Sequence, residues 1–203
     1  VGMDIAEQAM EIAPAAHTSL GGVYARPDCS TSAEGLFVCG ETLGGLHGAN
    51  RIGGNAGLET MVFGRRAGCS AAAYMDTLSG EPADCTDEIS DAAATVNIDA
   101  LRAELTKIVG GALGVIREAG KLEQAKTELE RMLEQITESG CYAQQRLRND
   151  TLTAYAVTLA ALERKTSTGC HVRTDSVGEP EKYRVNIRCE NGRACLLYTS
   201  DAA

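Results

Sequence analysis

The chain has 203 residues, a formal net charge of −9 and a sequence pI near 4.9, which is long enough for one large domain or two small ones. That charge excludes the basic face that nucleic acid demands and a polybasic contact with anionic lipid. No apolar run approaches the length of a membrane span, so no direct membrane insertion is expected.

The first twenty residues offer little periodicity. Gly21-Gly22-Val23-Tyr24 and Leu36-Phe37-Val38-Cys39 read as two strands, with the polar stretch Arg26–Glu34 between them as a turn. The second apolar run leads into Glu41 and then into a loop with glycines at 44, 45, 48, 53, 54 and 57. An Ala-rich segment of helical character follows, from Leu58 to Leu78. Glycine at this density lets the backbone approach a ligand closely, and the start of a helix aims free N–H groups and a positive dipole end at one spot. Together they make a site for an acceptor: a phosphate, a carboxylate or an electron-rich ring edge. The glycines follow neither the GxGxxG nor the GxxxxGK[ST] spacing.

From Ser79 to Asn97 the composition breaks to Gly, Pro and five acidic side chains, which reads as a linker. Helical periodicity then takes over. Leu101, Leu105, Ile108, Ala112, Val115 and Ile116 form one apolar stripe; Leu122, Ala125, Leu129, Met132, Leu133 and Ile136 a second; Leu147, Leu152, Tyr155, Leu159 and Leu162 a third. Three amphipathic helices with short connections predict a small antiparallel bundle. Tyr183–Ile187 reads as a strand. The eight cysteines contain no CxxC pair and the three histidines are scattered, so neither a metal site nor a disulfide framework is expected.

The words GLFVCGE (35–41), HGANRIGGN (47–55) and VFGRRAG (62–68), in this order, closely resemble the FAD-binding signature of one flavoprotein family. That family comprises the fumarate reductase and succinate dehydrogenase flavoprotein subunits, L-aspartate oxidase and their soluble relatives. Upstream, Pro14–Gly22 resembles a further segment of the family. Downstream, Leu101–Arg173 resembles its helical C-terminal domain. The resemblance implies an α/β fold, the end of an FAD-binding Rossmann-like domain, followed by an all-α three-helix bundle. It divides the chain at 1–79 (the FAD-binding domain, with 1–20 the tail of a capping domain), 80–97 (linker), 98–188 (helical domain) and 189–203 (tail). Because the chain opens on Val1 and no GxGxxG unit precedes the signature, it is expected to be the C-terminal part of a longer enzyme.

The implied cofactor is FAD and the implied substrate a small dicarboxylate, reduced or oxidised by hydride transfer with flavin N5. Arg51 and His17 match the family's substrate-binding pair, and a planar guanidinium fork suits a carboxylate. Glu41 matches the acid that meets an FAD hydroxyl, and Ala56-Gly57 the backbone pair at the flavin. His47 is assigned a positioning role, and Arg65-Arg66 a solvated or interdomain face. No catalytic residue is assigned, since the family's proton donor lies upstream. Read without the resemblance, Arg51 could only bridge loop to helix, His17 only cap a strand and Glu41 only close a loop. The family's Glu-Ser-Arg-Gly before His-x-Arg is replaced by Thr166-Ser167-Thr168-Gly169, which puts any ion pair of those residues in doubt. L-aspartate oxidase chemistry and a non-catalytic helical interaction module are the alternatives. An iron–sulfur subunit or other electron partner is implied, with a cytoplasmic location, peripheral to the membrane through partners. The last nine residues, Cys195–Ala203, resemble translated adaptor sequence and are expected to pack against nothing.

Overall fold

The computed structural model describes residues 4, 6–7, 9–10, 16–80, 92–138, 140–179, 183–190 and 193–199. The chain divides into two compact units, Val1–Glu81 and Pro82–Ala203. Most of the expected 80–97 linker and most of residues 1–15 lie outside the described residues.

The first unit is built around one helix, α1 (Asn55–Met75). The two expected strands are single bridges instead, Val23↔Leu43 (parallel) and Ser30↔Phe37 (antiparallel). Gly21, Gly22 and Gly35 at φ 102°, 142° and 75° break the extended backbone on either side, so neither run propagates a ladder. A small core of Cys29, Val38, Leu43 and Ala67 lies beneath α1. Phe37 meets Tyr74 edge-on at 6.0 Å between ring centroids. Arg66 lies over the Phe63 ring and donates to Pro27 O at 3.0 Å, so it fastens α1 to the 26–30 turn.

The second unit holds the bundle: α2 (Ile98–Ala112), α3 (Ala119–Gln135) and α4 (Tyr142–Glu163). Asn97 caps α2, its side chain accepting from Ala100 N at 3.1 Å. The first two apolar stripes form the core, with Leu122, Leu129, Met132 and Ile136 wholly buried. Val115 and Ile116 do not belong to it. The helix stops at Ala112 ahead of Gly114, and Ile116–Arg117 instead forms β1, which pairs in parallel with β2 (Val172–Arg173). On α4 the core face is also displaced from the expected one. Gln144, Leu147, Thr151, Ala154, Thr158 and Ala161 point inward, while Leu152, Tyr155, Leu159 and Leu162 are only partly buried. The buried threonines stand in for apolar residues because each hydroxyl bonds back into its own helix, Thr151 to Leu147 O and Thr158 to Ala154 O, both at 2.8 Å.

One short segment ties the helix ends together. Arg173, 7% exposed, donates to Ala161 O and Arg164 O at 3.1 and 3.0 Å, the open carbonyls at the end of α4. Its other nitrogens grip Asp175 at 2.7 and 2.9 Å, and Asp175 in turn accepts from Ala119 N at the start of α3. Asp175 is thus the acid that meets the arginine, at 2.7 Å from Arg173 Nε. His171 accepts from Arg117 at Nδ1 (2.8 Å) and donates from Nε2 to Arg164 O (3.0 Å), so its imidazole is neutral with the proton on Nε2. Burial, with Arg117, Arg173 and Arg164 around it, holds its pKa below the ordinary value, against the pull of the Arg164 carbonyl.

The C-terminal tail departs from expectation. Arg184–Glu190 (β3) pairs antiparallel with Arg193–Thr199 (β4) from Arg184↔Thr199 to Glu190↔Arg193, and both strands lie against α4. The expectation that residues from 195 on pack against nothing therefore fails for 195–199; 200–203 lie outside the described residues. The signal is present in the sequence. Val185, Ile187, Leu196, Leu197 and Tyr198 are β-prone, and an open strand edge recruits such a partner.

Two outcomes test this clasp. Arg173→Leu should destabilise the second unit by about 3 kcal/mol or more, because two carbonyls and a carboxylate lose their donor together; urea unfolding checks it. A histidine whose folded pKa is depressed adds stability that is complete above its unfolded pKa and is lost as pH falls through it. Thermal unfolding of the second unit should therefore weaken from pH 7.5 towards pH 5, and His171→Gln should flatten that slope.

Candidate active site

The site lies in the first unit, where two backbone segments meet ahead of α1. Val23 N donates to Thr42 O at 2.8 Å and Gly44 N to Val23 O at 2.9 Å, so residues 19–23 run beside 41–44. The approach is possible only without side chains. A Cβ on Gly22 (φ 142°) would stand 2.3 Å from Thr42 O, and one on Gly44 would stand 2.8 Å from Gly22 O. Glu41 is exposed, in a single 3-10 turn (Gly40–Thr42), and its Oε1 accepts from Ser19 N at 2.9 Å. His17, exposed, stands two residues before that contact. The structure thus brings the His17 segment against Glu41, at the head of the glycine loop.

The loop then passes His47 and Arg51 and enters α1 through Gly53-Gly54. His47 Nε2 donates to Glu59 Oε2 at 2.6 Å, a bond between the middle of the loop and the second turn of the helix. Glu59 is 7% exposed, and its Oε1 is buried with no partner among the described residues. The motif in the sequence singles out His47 for positioning but not Glu59; an acid one turn inside an otherwise apolar helix start is the available signal.

Arg51 is partly buried and makes no hydrogen bond or ion pair among the described residues. The start of α1 is equally open. Gly54, at φ 87°, occupies the N-cap and provides no side-chain cap. The N–H groups of Ala56 and Gly57 meet no acceptor among the described residues, and a Cβ on Gly53, Gly54 or Gly57 would touch nothing within 4 Å. A free guanidinium and free helix amides therefore share one loop-to-helix junction. Such a junction can take a carboxylate at the arginine and an electron-rich ring edge at the amides. The flavin of an FAD fits these donors: its N1–C2=O edge is an acceptor that gains charge on reduction. Among the described residues no His, Cys, Asp and Glu cluster could hold a metal ion.

Comparison with known proteins agrees with this chemistry. Residues 2–56 match the family model of an FAD binding domain, and residues 102–186 match that of the fumarate reductase flavoprotein C-terminus. The chain is 34% identical to one subunit of the fumarate reductase (CoM/CoB) of Methanothermobacter marburgensis, covering 86% of this chain and 35% of that one. It is 33% identical to the L-aspartate oxidase of Pseudomonas aeruginosa, covering 86% and 34%. The solved Sdh1 complex of Mycobacterium smegmatis in its apo form superposes with a TM-score of 0.75 at 29% identity, over 97% of this chain and 38% of that one. A quinol-fumarate reductase solved with menaquinol superposes with a TM-score of 0.81 at 25% identity, over 98% and 40%. The chain thus spans about a third of the length of these two relatives.

The Gly22–Thr42 approach gives a direct test in the full-length protein. Gly22→Ala should cost about 2 kcal/mol or more, combining backbone strain with a clash against main chain. Gly21→Ala, at φ 102° with nothing within 4 Å of its Cβ, should cost only the strain, about 1 kcal/mol. Equal losses in thermal unfolding would remove the close approach.

Proposed function

We propose, for a chain that belongs to the family of fumarate reductase and succinate dehydrogenase flavoprotein subunits and L-aspartate oxidases, that it forms part of an FAD-dependent oxidoreductase interconverting a saturated and an unsaturated small dicarboxylate. The observation that carries this reading is Arg51: a partly buried guanidinium without a partner among the described residues, next to an uncapped helix start. A partly desolvated guanidinium gains when a counter-charge meets it, and a substrate carboxylate would do so bidentately.

In this reading a bound FAD would supply the hydride chemistry, at N5. The chain's own residues do the rest of what is assigned here. Ala56 and Gly57 direct their N–H groups at the flavin edge, where a helix start stabilises negative charge. Glu41, its Oε1 held by Ser19 N, turns its remaining oxygen to an FAD hydroxyl. Arg51 clamps one substrate carboxylate and His17 donates to it, which orients the alkene and stabilises charge that develops on that end. Reduction also consumes a proton, whose donor belongs to the upstream capping domain implied by the resemblance. The L-aspartate oxidase matches this chain at nearly the same identity as the fumarate reductase, so an amino dicarboxylate falls within the same substrate class.

The same reading assigns 1–79 to the FAD-binding domain, 80–97 to a linker, 98–188 to the helical domain and 189–203 to a tail. The electron partner is an iron–sulfur subunit or an equivalent carrier. By the same family resemblance the protein works in the cytoplasm and reaches the inner face of the membrane through partners. Among the described residues no helix is long and apolar enough to cross a membrane.

In the full-length protein Arg51→Lys keeps the charge but loses the fork, and turnover of fumarate, succinate or aspartate should fall about 100-fold or more. His17→Ala should weaken substrate binding while FAD content stays at the parent level. Parent-rate turnover by the lysine variant would remove the clamp.

A further inference from the structure

The loop that carries Arg51 is poorly suited to holding anything still. Gly45, Gly48 and Gly54 sit at φ 93°, 60° and 87°, and Gly53 follows Ile52, which is 74% exposed. Glycine loses more conformational freedom on ordering than any other residue. Yet an arginine clamp works only when its fork is fixed to a fraction of an ångström, since small misplacements cost large factors in rate.

The His47–Glu59 bond lies where that problem can be solved. It joins the loop four residues before Arg51 to α1 four residues after Asn55, so Arg51 and the helix start lie within the stretch that this bond closes, from residue 47 to residue 59. Glu59 is held there at a cost: the carboxylate is almost fully buried, and one oxygen has no donor among the described residues. An apolar residue facing the same core would avoid that penalty. A carboxylate in this place is explained by what its other oxygen holds. The His47 ring is itself largely covered, 17% exposed, and its Nε2 is committed to Glu59 rather than to the open junction.

We propose that His47 and Glu59 are positioning residues, whose bond sets the Gly44–Gly54 loop so that the Arg51 fork meets the substrate carboxylate, and that neither touches substrate or flavin. The inference rests on the clamp assigned to Arg51 above.

The test is a double-mutant cycle in the full-length FAD-loaded protein, read as kcat/KM and as the dissociation constant for fumarate from perturbation of the oxidised-flavin spectrum. His47→Leu, which fills space without donating, should weaken both by about tenfold, while FAD content is unchanged. His47→Gln, whose amide can donate to Glu59, should recover to within about threefold of the parent. With Arg51→Lys already in place, His47→Leu should change neither quantity further, because a residue acting through Arg51 has nothing left to position. If His47→Leu does not fold, His47→Asn replaces it in the cycle, since its shorter amide does not reach Glu59. Additive losses, or a glutamine variant as impaired as the leucine one, would overturn the proposal. An unimpaired His47→Leu beside an impaired Arg51→Lys would overturn it alone. An unimpaired Arg51→Lys would remove the clamp and this inference with it.

Discussion

A loop made largely of glycine can present its backbone to a ligand only if contacts outside its own main chain fix its shape. In this chain two such contacts are on view. Behind the loop, Gly22 and Gly44 let the 19–23 and 41–44 segments touch main chain to main chain. In its middle, the His47–Glu59 bond fastens it to α1. Between these anchors the Arg51 guanidinium and the amides of Ala56 and Gly57 are left without partners among the described residues. A partly buried guanidinium beside an uncapped helix start leaves donors that a ligand can use.

The second unit uses charge in the opposite way. Arg173 is spent entirely on structure: its donors go to the end of α4 and to Asp175, which caps the start of α3. Its carboxylate partner is a neighbour two residues along the chain. His171, held neutral between Arg117 and a carbonyl, completes the same knot. An arginine with its donors committed to the fold and an arginine with none so used are chemically different residues. The burial and partners of each, more than its place in a motif, separate the structural Arg173 from the candidate ligand-binding Arg51.

What is legible in the sequence follows the range of the interactions involved. The helices are visible because apolar residues recur every three or four positions, and α2 and α3 bury most of the residues that this spacing selects, Val115, Ile116 and Leu133 excepted. The inward face of α4 is not, because Thr151 and Thr158 count as polar until their hydroxyls are seen bonded within the helix. The strands of the first unit fail because apolar runs of four residues carry no information about a partner, and the flanking glycines take the chain out of register. The tail pairs because β-propensity acts on any sequence, whatever its resemblance suggests about its origin. At the site, the ordered words around the glycine loop point to Arg51, His17, Glu41 and the start of α1 through resemblance. Glu59 escapes them, since a contact spanning twelve residues leaves no periodic trace.

The central claim is that one small dicarboxylate is gripped where the glycine loop enters α1. A crystal structure of the full-length FAD-loaded protein soaked with fumarate tests it most directly. One carboxylate should lie within hydrogen-bond distance of both terminal nitrogens of Arg51, with the His17 imidazole on the same ligand and the flavin edge at the Ala56 and Gly57 amides. Arg51 and His17 on opposite faces of the fold, or fumarate bound away from Arg51, would contradict it.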